Sequence, residues 1–247
     1  MDDRSRGVNT EAAETVSASR ALAVSGQGDM VWGHVAVRDG RGRGIWIKAP
    51  GWGLEETRGD RVQLVSFDGE VLVGSGAPHK ECHIHLEFFR MYSDLQCVAH
   101  THAQAAIAFA ALNTPLLPIS HDAAIFGGAD VPRFDITGGL INTPELGVAL
   151  AQVLGESPAV LMPKHGLVAA GRSVPAAVMH AVLLERSCAL QLRAMAAGPI
   201  DVYSDAAEAR IKREQCWPES QLVAGWNYLL RMADAATADA VIRRMHD

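Results

Sequence analysis

The sequence contains a concentration of histidines that restricts how the chain can fold and what it can bind. Of the 10 histidines in 247 residues, six lie between positions 79 and 121, where even scattering would place about two. Two of them, His100 and His102, belong to the segment Cys97-Val-Ala-His-Thr-His, which has the pattern of a β-strand. Alternate residues of a strand face the same side, so the fold must bring both imidazoles to one place.

Two further segments offer ligands to this histidine pair. Glu81 and His85 share one face of a predicted helix that ends just before the strand. A helix packed back on that strand could bring Glu81 close to the pair, whereas His83 is offset by about 200° around the helix, so Glu81 is the better candidate. His165 lies in Pro163-Lys-His-Gly, where an apolar strand breaks at a turn. Three histidines would form a metal site with a position open for substrate, although each signal alone also fits a polar strand end or an ordinary turn residue.

Composition and charge exclude several classes of protein. The chain has 28 acidic and 22 basic side chains, a formal net charge of −6 and no dense basic tract, which argues against nucleic-acid binding. A hydrophobic fraction of 49% supplies enough apolar side chains for a buried core. A small-molecule substrate is therefore the expected partner.

The cysteines and the apolar segments predict a cytoplasmic protein. The four cysteines show no CxxC pairing and are interpreted as reduced thiols. The first 15 residues lack the basic and apolar regions of a secretory signal. The richest apolar stretch, near Ala105–Leu117, is interrupted by Asn113 and Pro115, so no membrane segment is expected.

Hydrophobic periodicity predicts an α/β chain in which helices cover a central, largely antiparallel sheet. No linker or internal repeat is visible, so residues 1–247 are expected to form a single domain. Glu185 is expected to form an ion pair on one of the helices. The predicted helices include Thr10–Val24, Lys80–Tyr92, Ala103–Leu112, a helix starting at Thr143, and Val174–Ala197, with a helical tail over 203–246. The predicted strands lie in a meander over Val31–Val73 and at Leu95–His102, Ala123–Phe126, Arg133–Ile136 and on both sides of His165.

Three motifs together resemble the class II aldolase/adducin family. They are E-x-x-x-H at Glu81–His85, VAHTHA at 98–103 and KHGL at 164–167, and the resemblance extends from about residue 15 to about residue 200. It implies a three-layer α/β/α fold, assembled as a homotetramer with sites at subunit interfaces. It also implies one divalent metal ion per subunit, commonly zinc, with manganese, cobalt or iron as alternatives. The implied ligands are His100, His102, His165 and Glu81, and Glu81 is also the implied acid/base.

The sequence departs from the sugar-phosphate aldolases of that family at the positions that hold phosphate. Here these positions read Gly33-His34, Ala49-Pro50-Gly51 and His79-Lys80 in place of neutral amide and hydroxyl donors. With Arg38 nearby in sequence, these side chains suit a carboxylate better. We therefore predict His34, His79, Lys80 and Arg38 as substrate-binding residues, with a solvated helix-start lysine as the alternative for Lys80.

A second proton donor is implied at His121, in Pro118-Ile-Ser-His. This position falls approximately where aldolases of the family carry a tyrosine that reaches the neighbouring subunit's site. Histidine can transfer protons near neutral pH. A structural histidine is the alternative.

The preferred hypothesis is a metal-dependent carbon–carbon lyase, because a metal stabilises the electron pair left when such a bond breaks. The hairpin around Gly33-His34 is similar to those of the decarboxylase and adducin-like branches of the family, which include enzymes of aromatic catabolism that act on dihydroxyphthalate. We expect decarboxylation of a small hydroxylated carboxylic acid, dihydroxy-aromatic or oxo, through a metal-stabilised enolate with proton transfer by Glu81 and His121. The alternatives are an aldolase or epimerase acting on a sugar-like substrate, and a non-catalytic adducin-like assembly module.

Overall fold

Seven strands form one sheet in this computed structural model, which describes the backbone of residues 9–246 and the side chains as far as residue 238. Their order across the sheet is β4-β3-β2-β1-β5-β7-β6, and every neighbouring pair is antiparallel. The prediction of a largely antiparallel sheet is therefore confirmed. The strands are β1 (His34–Arg38), β2 (Gly44–Lys48), β3 (Val62–Ser66), β4 (Val71–Val73), β5 (Cys97–Thr101), β6 (Ala159–Met162) and β7 (Gly166–Gly171).

Helices cover both faces of this sheet and complete the three layers. One layer contains α1, α3, α6 and α8, and the other contains α2 and α5. Each layer buries its own apolar cluster against the sheet, which confirms the α/β/α prediction. The helices are α1 (Thr10–Leu22), α2 (Cys82–Met91), α3 (Gln104–Ala110), α4 (His121–Ala124), α5 (Pro144–Leu154), α6 (Val174–Ala197), α7 (Ala206–Cys216) and α8 (Glu219–His246).

Alternation along β5 determines where its histidines point. Cys97 and Ala99 are buried with the α6 layer, whereas Val98 is buried with the α2 layer. Because successive side chains of a strand face opposite sides, His100 lies on the same face as Val98. The strand therefore carries His100 toward α2, the helix that Glu81 precedes.

Two predicted strands are wrong. Residues 123–126 continue the short helix α4 into a turn, because the Ser120 side chain accepts a hydrogen bond from the Ala123 amide and starts a helix. Arg133–Ile136 contributes one isolated bridge, from Arg133 to Leu161, in place of a strand. Ile125 and Phe126 are buried in the apolar cluster of the α6 layer, and Phe134 is buried in that of the α2 layer.

Other sequence predictions concern the chain ends and membrane association. The expectation of no secretory signal rests partly on residues 1–8, which lie outside the described residues. Within the described part, every helix is too short or too polar to cross a bilayer.

The ion pair predicted for Glu185 is not found among the described residues. Glu185 instead caps a helix. Its Oε1 and Oε2 accept hydrogen bonds from the amides of Ala105 and Ala106, at 2.9 and 2.8 Å. These amides belong to the first turn of α3, and Ala103 at the N-cap has no side chain able to cap it. The carboxylate from α6 therefore fixes the start of the helix that directly follows His102.

We expect Glu185→Ala to lower the free energy of unfolding by about 1–2 kcal/mol, as for loss of an N-cap. Urea denaturation of the purified variant measures this change. Glu185→Gln, which keeps one acceptor, is the matched control and should lose less. Equal stability of Glu185→Ala and wild type would contradict the capping role.

Candidate metal centre

The end of β5 brings His100 and His102 together with His165, which is distant from them in sequence. His100 is fully buried, and it is the register partner of His34 on the neighbouring strand β1. The His100 and His102 ring centroids lie 5.0 Å apart, and the His100 and His165 centroids 4.9 Å apart. The pairing of β1, β5 and β7 thus assembles imidazoles on one sheet face.

His165 reaches this place because the turn between β6 and β7 is unusually tight. Lys164 adopts a positive φ of 67°, a left-handed conformation that a non-glycine residue seldom takes. At Gly166 an added Cβ would collide with the main-chain carbonyl of Thr101. Glycine at this position therefore lets β7 approach β5 closely enough for His165 to face the histidine pair.

Glu81 lies at the N-cap of α2 and turns its carboxylate inward. It is 4% exposed, and its Oε1 accepts a hydrogen bond from the Ile141 amide at 2.8 Å. Burial alone would raise the pKa of Glu81, but His165 at 3.5 Å and His34 at 4.0 Å lower it by a larger amount, so the net pKa lies well below its usual value. The carboxylate is therefore ionised at neutral pH.

Glu81, His100, His102 and His165 could together hold a metal ion, since one ligand atom from each lies within 4.8 Å of all the others. His100 Nδ1 lies 2.9 Å from the Leu167 carbonyl oxygen, so this nitrogen carries the proton and donates it. Its Nε2 is buried and has no hydrogen-bond partner among the described residues. An unprotonated imidazole nitrogen beside an ionised carboxylate is the donor set that divalent metals such as zinc prefer.

Asp29 supports this site and was missed by the sequence analysis. Its Oδ2 lies 2.8 Å from His102 Nδ1, which donates the hydrogen bond. The contact leaves His102 Nε2 as the nitrogen able to bind metal. Asp29 lies in an irregular segment before β1, far from His102 in sequence, and no local pattern marks it.

We expect Asp29→Ala to weaken metal binding by about 10–100-fold, the usual effect of removing a carboxylate that orients a ligating histidine. Competition titration against a coloured chelator measures the affinity. Asp94→Ala is a suitable control, because Asp94 pairs with Arg172 on the surface. An unchanged affinity in Asp29→Ala would show that the contact does not orient His102.

Two of the predicted substrate-binding residues lie beside the four candidate ligands. His34 is fully buried, and the His79 ring centroid lies 4.0 Å from the His34 centroid. His34 Nδ1 lies 2.6 Å from His85 Nε2, so the two rings are joined by a hydrogen bond and His85 supports His34. Burial lowers the pKa of His34 well below its usual value and that of His79 to about 4. Both rings are therefore neutral at physiological pH. The third predicted substrate-binding residue, Lys80, is exposed in the turn before α2.

Two other predicted site residues, Arg38 and His121, do not join the four candidate ligands. The guanidinium of Arg38 donates to the main-chain carbonyls of Leu95, Phe89 and Tyr92 at 2.7–2.8 Å. These contacts give Arg38 a structural role at the other end of β1, so its predicted role in substrate binding is corrected. His121 is exposed on α4, where its carbonyl accepts a hydrogen bond from Trp217 Nε1, and it does not join the four candidate ligands within one chain.

The sheet order, the two helical layers and a His/Glu cluster that could hold a metal ion define a class of α/β/α proteins. Residues 13–192 match the family described as the class II aldolase and adducin N-terminal domain. The chain belongs to this family.

Curated relatives and a solved structure agree with this assignment. The chain is 30% identical over 179 residues to the meiotically up-regulated gene 14 protein of Schizosaccharomyces pombe, covering 71% of this chain and 69% of that protein. It is 28% identical over 199 residues to the 3,4-dihydroxyphthalate decarboxylase of Arthrobacter keyseri, covering 73% and 77%. The L-fuculose 1-phosphate aldolase of Glaciozyma antarctica shares the fold, with a TM-score of 0.82 and 22% identity, over 97% of this chain and 96% of that chain.

Proposed function

We propose that the chain is a single-domain, divalent-metal-dependent carbon–carbon lyase that decarboxylates a small hydroxylated carboxylic acid. The observation that carries this proposal is the cluster of Glu81, His100, His102 and His165 with neutral imidazoles packed beside it. The similarity to a 3,4-dihydroxyphthalate decarboxylase supports a dihydroxy-aromatic substrate and a role in aromatic catabolism. We further propose zinc as the metal and a cytoplasmic homotetramer as the assembly.

The four candidate ligands would hold the ion, which supplies a Lewis acid for negative charge on a substrate oxygen. His34 and His79 are neutral, so we propose that they form hydrogen bonds with the substrate without adding charge. Exposed Lys80 supplies the positive charge for a carboxylate. This arrangement differs from the neutral phosphate-holding donors of the sugar-phosphate aldolases.

Glu81 is the proposed acid/base that a chain supplies to its own site. Its ionised carboxylate accepts the proton of a substrate hydroxyl and then delivers it to the ring carbon that bears the carboxylate. The bond between that ring carbon and the carboxylate then breaks. CO₂ leaves, and the electron pair of the broken bond returns to the ring. The phenolate that remains takes a proton from solvent. His121 would serve the site of another subunit in the proposed homotetramer.

A product assay on metal-loaded protein tests the proposed reaction. We expect 3,4-dihydroxyphthalate or a related dihydroxy-aromatic acid to release stoichiometric CO₂, while hydroxylated ketones and their phosphates release no aldehyde. Release of aldehyde without CO₂ across the same panel would instead identify an aldolase. Protein purified without chelator that contains no metal and turns over neither panel would be an adducin-like assembly module.

A further inference from the structure

Lys48, at the end of β2, is a fully buried lysine that the proposed reaction does not use. Its side chain forms no ion pair with a carboxylate among the described residues. The ammonium instead donates hydrogen bonds to the carbonyl oxygens of Val31 at 2.9 Å and Trp52 at 2.5 Å. Burying an ammonium is unfavourable unless its hydrogen bonds compensate, so these two contacts indicate what the lysine does.

The two carbonyls belong to different loops, and Lys48 joins them. Val31 lies in residues 28–33, the segment that precedes β1, and Trp52 follows β2. The two loops also lie close together, since a Cβ built on Gly33 would lie 3.7 Å from the Leu54 side chain. A single buried ammonium therefore fixes the segment 28–33 to the loop after β2.

The segment 28–33 has little support of its own. Met30 adopts a positive φ of 46°, which is uncommon for a residue with a side chain. One main-chain hydrogen bond, from the Trp32 amide to the Asp29 carbonyl at 3.0 Å, closes the turn. The Met30 and Trp32 side chains are 65% and 48% exposed, so packing does little to hold them. The conformation that presents Asp29 to His102 thus depends on contacts made from outside the segment.

We infer that Lys48 is a positioning residue that acts through Val31 and Asp29 to hold the His102 imidazole ready for metal. The chain of contacts runs from Lys48 Nζ to the Val31 carbonyl, along two residues to Asp29, and from its carboxylate to His102 Nδ1. This inference rests on the proposed metal centre. Under this inference, the buried Lys48 contributes to metal binding without contacting the ion.

Lys48→Met tests this inference, because methionine keeps much of the length and removes the ammonium. We expect about tenfold weaker metal binding, at the lower end of the effect of losing an orienting partner. We expect little further loss when Lys48→Met is added to Asp29→Ala, because both changes would act on the same contact. Lys212→Met, which removes a surface lysine paired with Glu208 on α7, is the matched control and should bind metal as wild type does.

A second measurement on metal-free protein separates this inference from the proposed function. Nitrogen-15 NMR of the histidines should show His102 protonated at Nδ1 in wild type, and a mixture of tautomers in Lys48→Met. Hydrogen exchange at the Trp32 amide should become faster in the same variant. If wild type binds no metal, the proposed function fails, while these two signals still decide whether Lys48 holds the segment. Unchanged tautomer and exchange in Lys48→Met, or metal affinities that fall additively in the double variant, would overturn the inference.

Discussion

Glu81→Gln is expected to lose about 10²–10⁴-fold in kcat while the protein remains folded, because glutamine cannot accept and return a proton. The amide oxygen of glutamine can still accept the hydrogen bond that the Ile141 amide donates to Glu81. The change therefore removes the acid/base function with little disturbance of the loop that carries Ile141. Steady-state CO₂ release by protein of measured metal content gives the rate.

Glu87→Gln is the matched control for this variant. Glu87 lies on α2, is also 4% exposed, and pairs with Arg90 at 3.0 Å outside the metal cluster. Its replacement should leave kcat unchanged and affect only stability. A Glu81→Gln protein that retained bound metal and the full rate would show that the proton is transferred by another group.

The second large effect is expected at His100, where replacement by glutamine should weaken metal binding more than about 100-fold. This exceeds the range expected for partners that only orient a ligand, because His100→Gln removes a ligand atom itself. Its Nε2 is buried without a hydrogen-bond partner among the described residues, and a bound ion would satisfy that nitrogen. Metal analysis after gel filtration and chelator competition measure the loss.

His180→Gln controls for the loss of a half-buried imidazole that donates a hydrogen bond to the sheet. His180 Nδ1 donates to the Ala170 carbonyl on β7 at 2.8 Å, as His100 Nδ1 donates to the Leu167 carbonyl on the same strand. Both variants lose a comparable hydrogen bond, yet His180 lies outside the four-ligand cluster. Equal metal affinities in the two variants would remove His100 from the ligand set.

The fold and much of the candidate site could be predicted from the sequence wherever the pattern lay in residues close together along the chain. Strand alternation placed His100 and His102 on one side, and helix geometry favoured Glu81 near the start of α2. The helix Val174–Ala197 has the predicted bounds. These features depend on residues close in sequence, whose geometry follows from the period of a strand or a helix.

Features that depend on distant pairing could not be predicted in the same way. The contact of Asp29 with His102 and the pairing of His34 with His100 require the register of β1 on β5. Arg38 has the charge expected of a substrate ligand, but the alternation that buries β1 directs its guanidinium to carbonyls near the end of α2. Charge alone did not distinguish a binding residue from a structural one.

The wide sequence separation of the candidate ligands, from Glu81 to His165, would link metal supply to the lifetime of the protein. An unfolded chain does not hold these groups together, so an ion that binds the native state stabilises it by mass action. At a free concentration one hundred times Kd, the gain in unfolding free energy is about 2.7 kcal/mol. Under metal starvation a larger fraction of molecules would unfold and be degraded, so cellular abundance would follow the availability of the ion.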